Sequence, residues 1–331
     1  MQIRAIEEKI YRIAVPIPFP MKYVYCYLFQ EEDGWSIVDT GFNYPEATEV
    51  WKKVFSELSI IPSSLQAIYV THYHPDHSGL AGWMQKWSGA PVYISVKDGE
   101  TFDLAFSDKK VMAARFGEIC KENGVPEELM FDIQDQFEKM GEHVRPFPAF
   151  TFFEKDEIIL GGDRWQVIHT PGHSDGMFCF YQQEKQLLLA ADHVLARITP
   201  NIGLWPYGRE NPLQDYLQSL EEISSLDVRC ALPGHGDLIL DLPKRINEIH
   251  LHHEQRLNEM YNLVIGGKTA FEVAREVFKE RQLNSHQWRF AIAETLAHLE
   301  YLYFSGKITK SKSAGSYTTV YTADSYIEAG T

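Results

Sequence analysis

The chain has 331 residues, 44% hydrophobic and 13% aromatic, which is enough for a large core and excludes a disordered polymer. Its formal net charge of −15 argues against a non-specific grip on nucleic acid or on an anionic membrane. Four widely spaced cysteines (Cys26, Cys120, Cys179, Cys230) form no CxxC pair and imply no disulfide framework, and no run is long enough to span a bilayer. The N-terminal residues lack a signal-peptide h-region, so a cytoplasmic protein with reduced thiols is expected.

Residues 9–39 read as strands. Ile10–Val15 alternates, Pro16–Pro20 is a stiff loop, Val24–Phe29 follows, and Glu31–Gly34 turns the chain into Trp35–Val38. That strand ends in Asp39-Thr40-Gly41. Residues 45–58 predict an amphipathic helix with Val50, Trp51, Val54, Phe55 and Leu58 on one face. Leu65–Val70 is a buried strand, and it runs into Thr71-His72-Tyr73-His74-Pro75-Asp76-His77-Ser78-Gly79. Three imidazoles and a carboxylate in six positions, without Cys, suit zinc, with iron or manganese as alternatives. His72 and His74 can point at one metal, and Asp76 and His77, past Pro75, at a neighbour. A helix with Ser78 near its N-cap and a strand at Pro91–Ser95 complete a strand–helix–strand unit, hence an α/β layer.

Residues 98–150 are helix-forming and rich in Phe and Met, broken at Gly124-Val125-Pro126, and are expected to form a helical insert. Some of these apolar side chains are candidates for lining a substrate channel. Strands return at Ile158–Leu160 and Trp165–Ile168, followed by His169-Thr170-Pro171-Gly172-His173-Ser174. A hairpin over 177–191 ends in Asp192-His193. A further strand, Cys230–Leu232, ends in Pro233-Gly234-His235-Gly236. Segments 244–265, 269–282 and 286–304 are helical, and Gly306–Ile308 and Tyr317–Tyr321 flank a Lys/Ser/Gly-rich turn, the layout of a winged helix. A boundary near 243 divides 1–243 from 244–331. His250, His252 and His253 read as a solvated or packing face, His143, His286 and His298 as isolated, and His169 and His193 as structural.

Metal-capable side chains thus recur at the ends of separate strands, which in an open α/β layer share one edge. On these motifs the chain resembles the metallo-β-lactamase superfamily in its glyoxalase II-like, dinuclear form, over about residues 39–236. The resemblance implies an αββα sandwich. It also implies two divalent metal ions, most naturally zinc: His72, His74 and His173 on the first, Asp76, His77 and His235 on the second. Asp192 bridges them, and Asp39 orients the metal loop without ligating. Asp76 and Asp192 become the catalytic carboxylates of a hydrolase that uses a metal-bridging hydroxide to attack an ester, thioester or lactone of a small acyl substrate. The basic C-terminal pattern by which glyoxalase II holds glutathione is absent. Leu195 stands where acyl-homoserine lactonases place Tyr.

The alternative is a metal-dependent endoribonuclease or phosphodiesterase that uses the C-terminal module for nucleic acid. Residues 250–331 hold nine Lys/Arg against nine Asp/Glu, which does not favour it. A small-molecule substrate, no membrane partner and a role for the appendage in structure or in a homo-oligomer are the expectation.

Overall fold

The protein is described by a computed structural model over residues 2–312 and 317–324. The first sheet has seven strands in chain order: β1 (Ile3–Glu7), β2 (Ile10–Pro16), β3 (Tyr23–Gln30), β4 (Trp35–Val38), β5 (Leu65–Tyr69), β6 (Val92–Ile94) and β7 (Phe150–Phe152). Strands β1–β4 form an antiparallel meander, with Gln30 opposite Trp35, so Glu31–Gly34 is the turn. From β4 to β7 the pairing is parallel, which requires crossovers. These include helices α1 (Pro45–Glu57), α2 (Pro75–Ser78), α3 (Ala81–Ser88) and α4 (Val96–Phe102).

The second sheet has the order β12-β11-β10-β9-β8, from β8 (Glu157–Leu160), β9 (Asp163–His169), β10 (Phe178–Gln182), β11 (Leu187–Ala191) and β12 (Cys230–Pro233). All of β10–β12 is buried, so both faces are covered, and these strands read as near-continuous apolar runs. Strand β8 lies at the edge and alternates exposed and buried.

Two cores result. One lies between the sheets and joins Tyr27, Phe29 and Val38 to Trp165, Phe180, Leu189 and Leu232. Trp165 is fully buried there, edge-on to Phe29, and its indole N–H donates to the Leu160 carbonyl. The other packs Trp51, Val54 and Phe55 of α1 and Met84 of α3 against Ile13, Ile37 and Ile68 of the first sheet. This is an αββα sandwich.

One expected boundary moves. The helix expected with Ser78 near its N-cap begins later, as α3 with Leu80 at its N-cap, and the separate four-residue α2 precedes it with His74 as N-cap and Pro75 at the first helical position. Proline has no N–H to lose there and its φ suits the helix. The Ser78 hydroxyl folds back onto the carbonyls of Tyr73 and His74 instead of capping.

The chain divides into two compact units. The first (Met1–Ser107, Met140–Pro200, Ser219–Ile246) carries both sheets. The second (Asp108–Lys139, Asn201–Gln218, Asn247–Thr331) holds α5 (Lys109–Glu122), most of α6 (Glu127–Met140), part of α7 (Pro212–Ser224) and most of α8 (Leu242–Leu263). It also holds α9 (Ala270–Val277), α10 (Ser285–Phe304) and the two-stranded antiparallel sheet of β13 (Thr309–Lys312) and β14 (Thr319–Thr322). The Lys/Ser/Gly-rich turn at 313–316 lies outside the described residues. Residues 108–139 of the expected insert therefore group with the C-terminal helices. Phe116 of α5 packs on Trp205, and Arg289 of α10 lies over the rings of Phe137 and Phe290. Helices α9 and α10 each start with a reciprocal capping box, Thr269 with Glu272 and Asn284 with Gln287. No helix among the described residues is long and apolar enough to cross a membrane.

Candidate metal centre

Five strand ends in the first unit deliver the chemistry. Strand β4 delivers Asp39, β5 the Thr71–His77 loop, β9 the loop with His173, β11 Asp192, and β12 His235. Strands β4 and β5 are parallel, as are β11 and β12, so their C-terminal ends open on the same edge of each sheet. Two of the junctions are strained. Asp39 (φ 61°) and Ala191 (φ 45°) take the left-handed conformation that side chains other than Gly rarely adopt, and such outliers concentrate at functional sites.

Three groups of side chains come together with their ligand atoms within 4.8 Å of one another: His72, His74 and His173; His72, His77 and Asp192; and Asp76, His77 and His235. Asp192 faces both sides. Its carboxylate lies 3.3 Å from His77 Nε2, 3.5 Å from His235 Nε2 and 3.7 Å from His173 Nε2. Asp76 is 3.1 Å from His235 Nε2. All seven residues that the sequence singled out as ligands are brought to one place.

Hydrogen bonds assign the nitrogen that carries the proton in His72, His77 and His235. The Asp39 carboxylate accepts from the Thr71 amide (2.8 Å), from the Thr71 hydroxyl (2.9 Å) and from His77 Nδ1–H (2.7 Å). With its hydrogen on Asp39, the Thr71 oxygen accepts from His72 Nδ1–H at 3.0 Å. His235 Nδ1–H donates to the Tyr23 carbonyl at 2.9 Å. Each of these bonds leaves Nε2 with a lone pair aimed into the cluster, the arrangement metal-binding imidazoles need. His72 Nε2, His77 Nε2 and Asp192 Oδ1 are buried and make no hydrogen bond. Orphaned buried polar atoms are costly, and three that converge fit a bound cation.

The electrostatics agree. Burial holds His72 well below the ordinary imidazole range, aided by neighbouring His77 and His74; it does the same for His74, aided by His173. Both are therefore neutral donors. For His77 burial opposes charge, but Asp192 and Asp39 outweigh it and push the pKa well up. His235 is raised in the same way, chiefly by Asp192 and Asp76. A field that favours a proton at those nitrogens favours a metal cation there.

Gly234 has no room for a side chain. A Cβ would lie against Asp192 Oδ1 and 2.7 Å from His77 Cε1. The His235 loop is fastened elsewhere too: the Tyr25 amide donates to the Gly234 carbonyl (2.7 Å), the Tyr27 hydroxyl to the Pro233 carbonyl (2.8 Å), and Arg12, lying over the Tyr25 ring, to the Gly236 carbonyl.

Arg12 and Tyr27 carry no sequence signal, because their partners are more than 200 residues away. Asp98 was also missed, and it is fully buried with contacts to two of the loops. Its one signal, Ser-x-x-Asp after a strand, reads as a capping box. The remaining histidines of the first unit are accounted for locally. His169 bonds the Asp175 carbonyl, His143 packs on Phe42, and His193 is buried, with a pKa that burial lowers to about 3. In the second unit His253, read as part of a solvated or packing face, and His298, read as isolated, meet at 3.1 Å.

A profile of the metallo-beta-lactamase superfamily matches residues 20–235. The chain belongs to this superfamily. A second profile, the metallo-beta-lactamase-like C-terminal domain, matches residues 257–319. The chain is 26% identical to the probable metallo-hydrolase YqjP of Bacillus subtilis over 314 residues, 91% of this chain and 94% of that protein. It is 24% identical over 210 residues to an atrochrysone carboxyl ACP thioesterase of Emericella nidulans, 63% of this chain and 50% of that one. Among solved structures it is similar to a metallo-beta-lactamase family protein of Thermus thermophilus. That match has 34% identity and a TM-score of 0.84, covering 96% of this chain and 100% of that one. A beta-lactamase domain protein of Burkholderia ambifaria shares the fold at a TM-score of 0.85 and 24% identity, over 97% and 94% of the two chains. This superfamily member is a metal-dependent hydrolase, and its His/Asp clusters fit a dinuclear metal site.

Proposed function

We propose that the protein hydrolyses an ester, thioester or lactone of a small acyl substrate at a two-metal centre. His72, His74 and His173 would hold one ion and Asp76, His77 and His235 the other, with Asp192 placed to serve both. The observation that carries this reading is the position of Asp192, within 4 Å of imidazoles from both sides. The donor set is nitrogen and carboxylate oxygen without sulfur, which suits zinc, with iron or manganese as alternatives.

Two such cations lower the pKa of a bound water toward neutrality and polarise an acyl carbonyl. The chain's own residues do the rest. Asp39 keeps the proton of His77 on Nδ1 and, through Thr71, that of His72, so both Nε2 atoms stay available. Asp76 and Asp192 remain ionised although burial opposes it. His235, whose Nε2 lies 3.1 Å away, holds the Asp76 carboxyl at about 2, and His235, His77 and His173 hold Asp192 well below the ordinary carboxylate range. The turn after β2 and the first residue of β3 present Phe19, Met21 and Tyr23 as exposed apolar surface, and the Tyr23 carbonyl is the one that orients His235. An acyl chain suits such a surface. The thioesterase relative supports the acyl class.

The three helices and hairpin of the C-terminal module are read as winged-helix-like, but as a structural appendage. A phosphate-gripping helix needs exposed cations. On α10, Arg289 is buried among Phe137, Trp205 and Phe290, and the buried Glu300 pairs with Lys310 and the Tyr321 hydroxyl.

A screen of acyl thioesters, lactones, a chromogenic lactam, a phosphodiester and structured RNA against zinc-, manganese- and iron-loaded protein tests the reading. Turnover of a thioester or lactone is expected to exceed that of the phosphodiester and RNA by at least tenfold. The reverse order overturns the acyl assignment.

A further inference from the structure

The first imidazole cluster is assembled from two sheets. His72 and His74 follow β5 of the first sheet, and His173 follows β9 of the second. Something must hold two loops from different sheets in register to within the few tenths of an ångström that a metal site tolerates. Backbone pairing contributes one bond there, from the Phe178 amide to the Thr71 carbonyl at 3.1 Å.

Asp98, in the first turn of α4, contacts both loops. Its Oδ2 accepts from the Tyr73 amide at 2.9 Å and from the Ser174 hydroxyl at 2.8 Å, and its Oδ1 accepts from the Gly176 amide at 2.7 Å. Tyr73 lies between His72 and His74 in the chain, and Ser174 adjoins His173. The carboxylate is wholly buried. In a capping box its side chain would reach back to the amide of the N-cap Ser95. Only the other half of that box forms: the Asp98 amide donates to Ser95 Oγ, which aims the α4 terminus while the carboxylate points at the loops. Gly176 completes the fit. A Cβ there would press on Ser95 Oγ and lie 2.8 Å from both the Asp98 amide nitrogen and Oδ1, so the backbone can approach only without a side chain.

We propose that Asp98 is a positioning residue that clamps the His72–His74 loop to the His173 loop, so that the affinity for one of the two metal ions is set by a carboxylate that touches neither. The inference rests on the two-metal reading above. Three donors converge on it and it donates nothing, so an acceptor-only group is required. An amide in its place turns one acceptor into a donor facing a backbone N–H.

The test measures metal, not turnover. Wild-type protein, Asp98→Asn and Ser174→Ala are stripped of metal and titrated with zinc against a chromophoric chelator, and with cobalt while the d–d bands are followed. For Asp98→Asn one of two equivalents is expected to weaken by about 10- to 100-fold with altered cobalt bands, the other staying within about threefold. Ser174→Ala, which removes one of the three donors and spares the fold, is expected to show the same selectivity at smaller size. It keeps the test decisive if Asp98→Asn does not fold. Equal weakening of both equivalents, or none, overturns the clamp while leaving the two-metal reading intact. A wild-type protein that binds less than one equivalent overturns that reading and the clamp with it.

Discussion

Asp39→Asn probes the organisation of the site most directly, because it changes one atom and spares the backbone. Asn tolerates the left-handed conformation at φ 61° about as well as Asp. The carboxylate accepts three donors, at 2.7, 2.8 and 2.9 Å. If the amide oxygen keeps the Thr71 N–H, the new NH2 faces His77 Nδ1 and must donate to it. The His77 proton then moves to Nε2, where Asp192 Oδ1 waits at 3.3 Å, and the lone pair meant for the metal is gone. The opposite amide rotamer keeps the imidazole but sets NH2 against the Thr71 N–H. Either way one charge-assisted hydrogen bond is lost, about 1.5–3 kcal/mol. Expressed through the metal, that is a 10- to 100-fold loss of affinity at the cluster containing His77, with turnover falling in parallel. Zinc competition against a chelator gives the affinity, and nitrogen-15 spectra of the imidazoles give the tautomer. Zinc affinity within about threefold of wild type, with His77 still protonated at Nδ1, would refute the reasoning.

Three further outcomes follow from other contacts. Asp192→Ala removes the carboxylate shared by both clusters and is expected to abolish turnover and to weaken both zinc equivalents; surviving activity rules out the bridge. Gly234→Ala drives a methyl against Asp192 and His77, so far-UV circular dichroism should be preserved while turnover falls at least tenfold, and unchanged kinetics would contradict the packing. The third is a pH effect. His253 and His298 are neutral in the fold, held by burial at about 2 and about 4. Both lie below the unfolded value near 6.5, so the unfolded chain binds more protons and stability falls as the pH drops from about 6.5 toward 4. The loss is on the order of 2 kcal/mol per imidazole between pH 7 and pH 5. Urea unfolding at the two pH values should show it in the wild type and a smaller difference in His298→Gln; equal differences would refute it.

Much of the site was legible because its ligands are marked twice, by residue type and by place. His72 through His77, His173, Asp192 and His235 each follow an apolar strand, and the periodicity of β5, β9, β11 and β12 was plain. Strands β10–β12 were readable because burial on both faces writes unbroken apolar runs. What was not legible depends on pairs distant in sequence. Asp98 looks like a capping residue until Tyr73 and Gly176 are seen to converge on it. His253 and His298 look unrelated until α8 and α10 cross. The grouping of 108–139 with the C-terminal helices rests on Phe116 and Phe137 meeting Trp205 and Arg289, contacts that no local pattern announces.

The distribution of the proposed ligands between the two sheets bears on how the molecule would acquire its metals. The early part of the chain contributes His72–His77, and the remaining three ligands come only after β9, β11 and β12. A half-made molecule can therefore offer no complete set of donors, and tight binding waits for both sheets to close on each other. Ions that bind the folded chain and not the unfolded one then act as a rivet through the sandwich, adding RT ln(1 + [metal]/Kd) to its stability. Metal occupancy becomes a report that folding has finished.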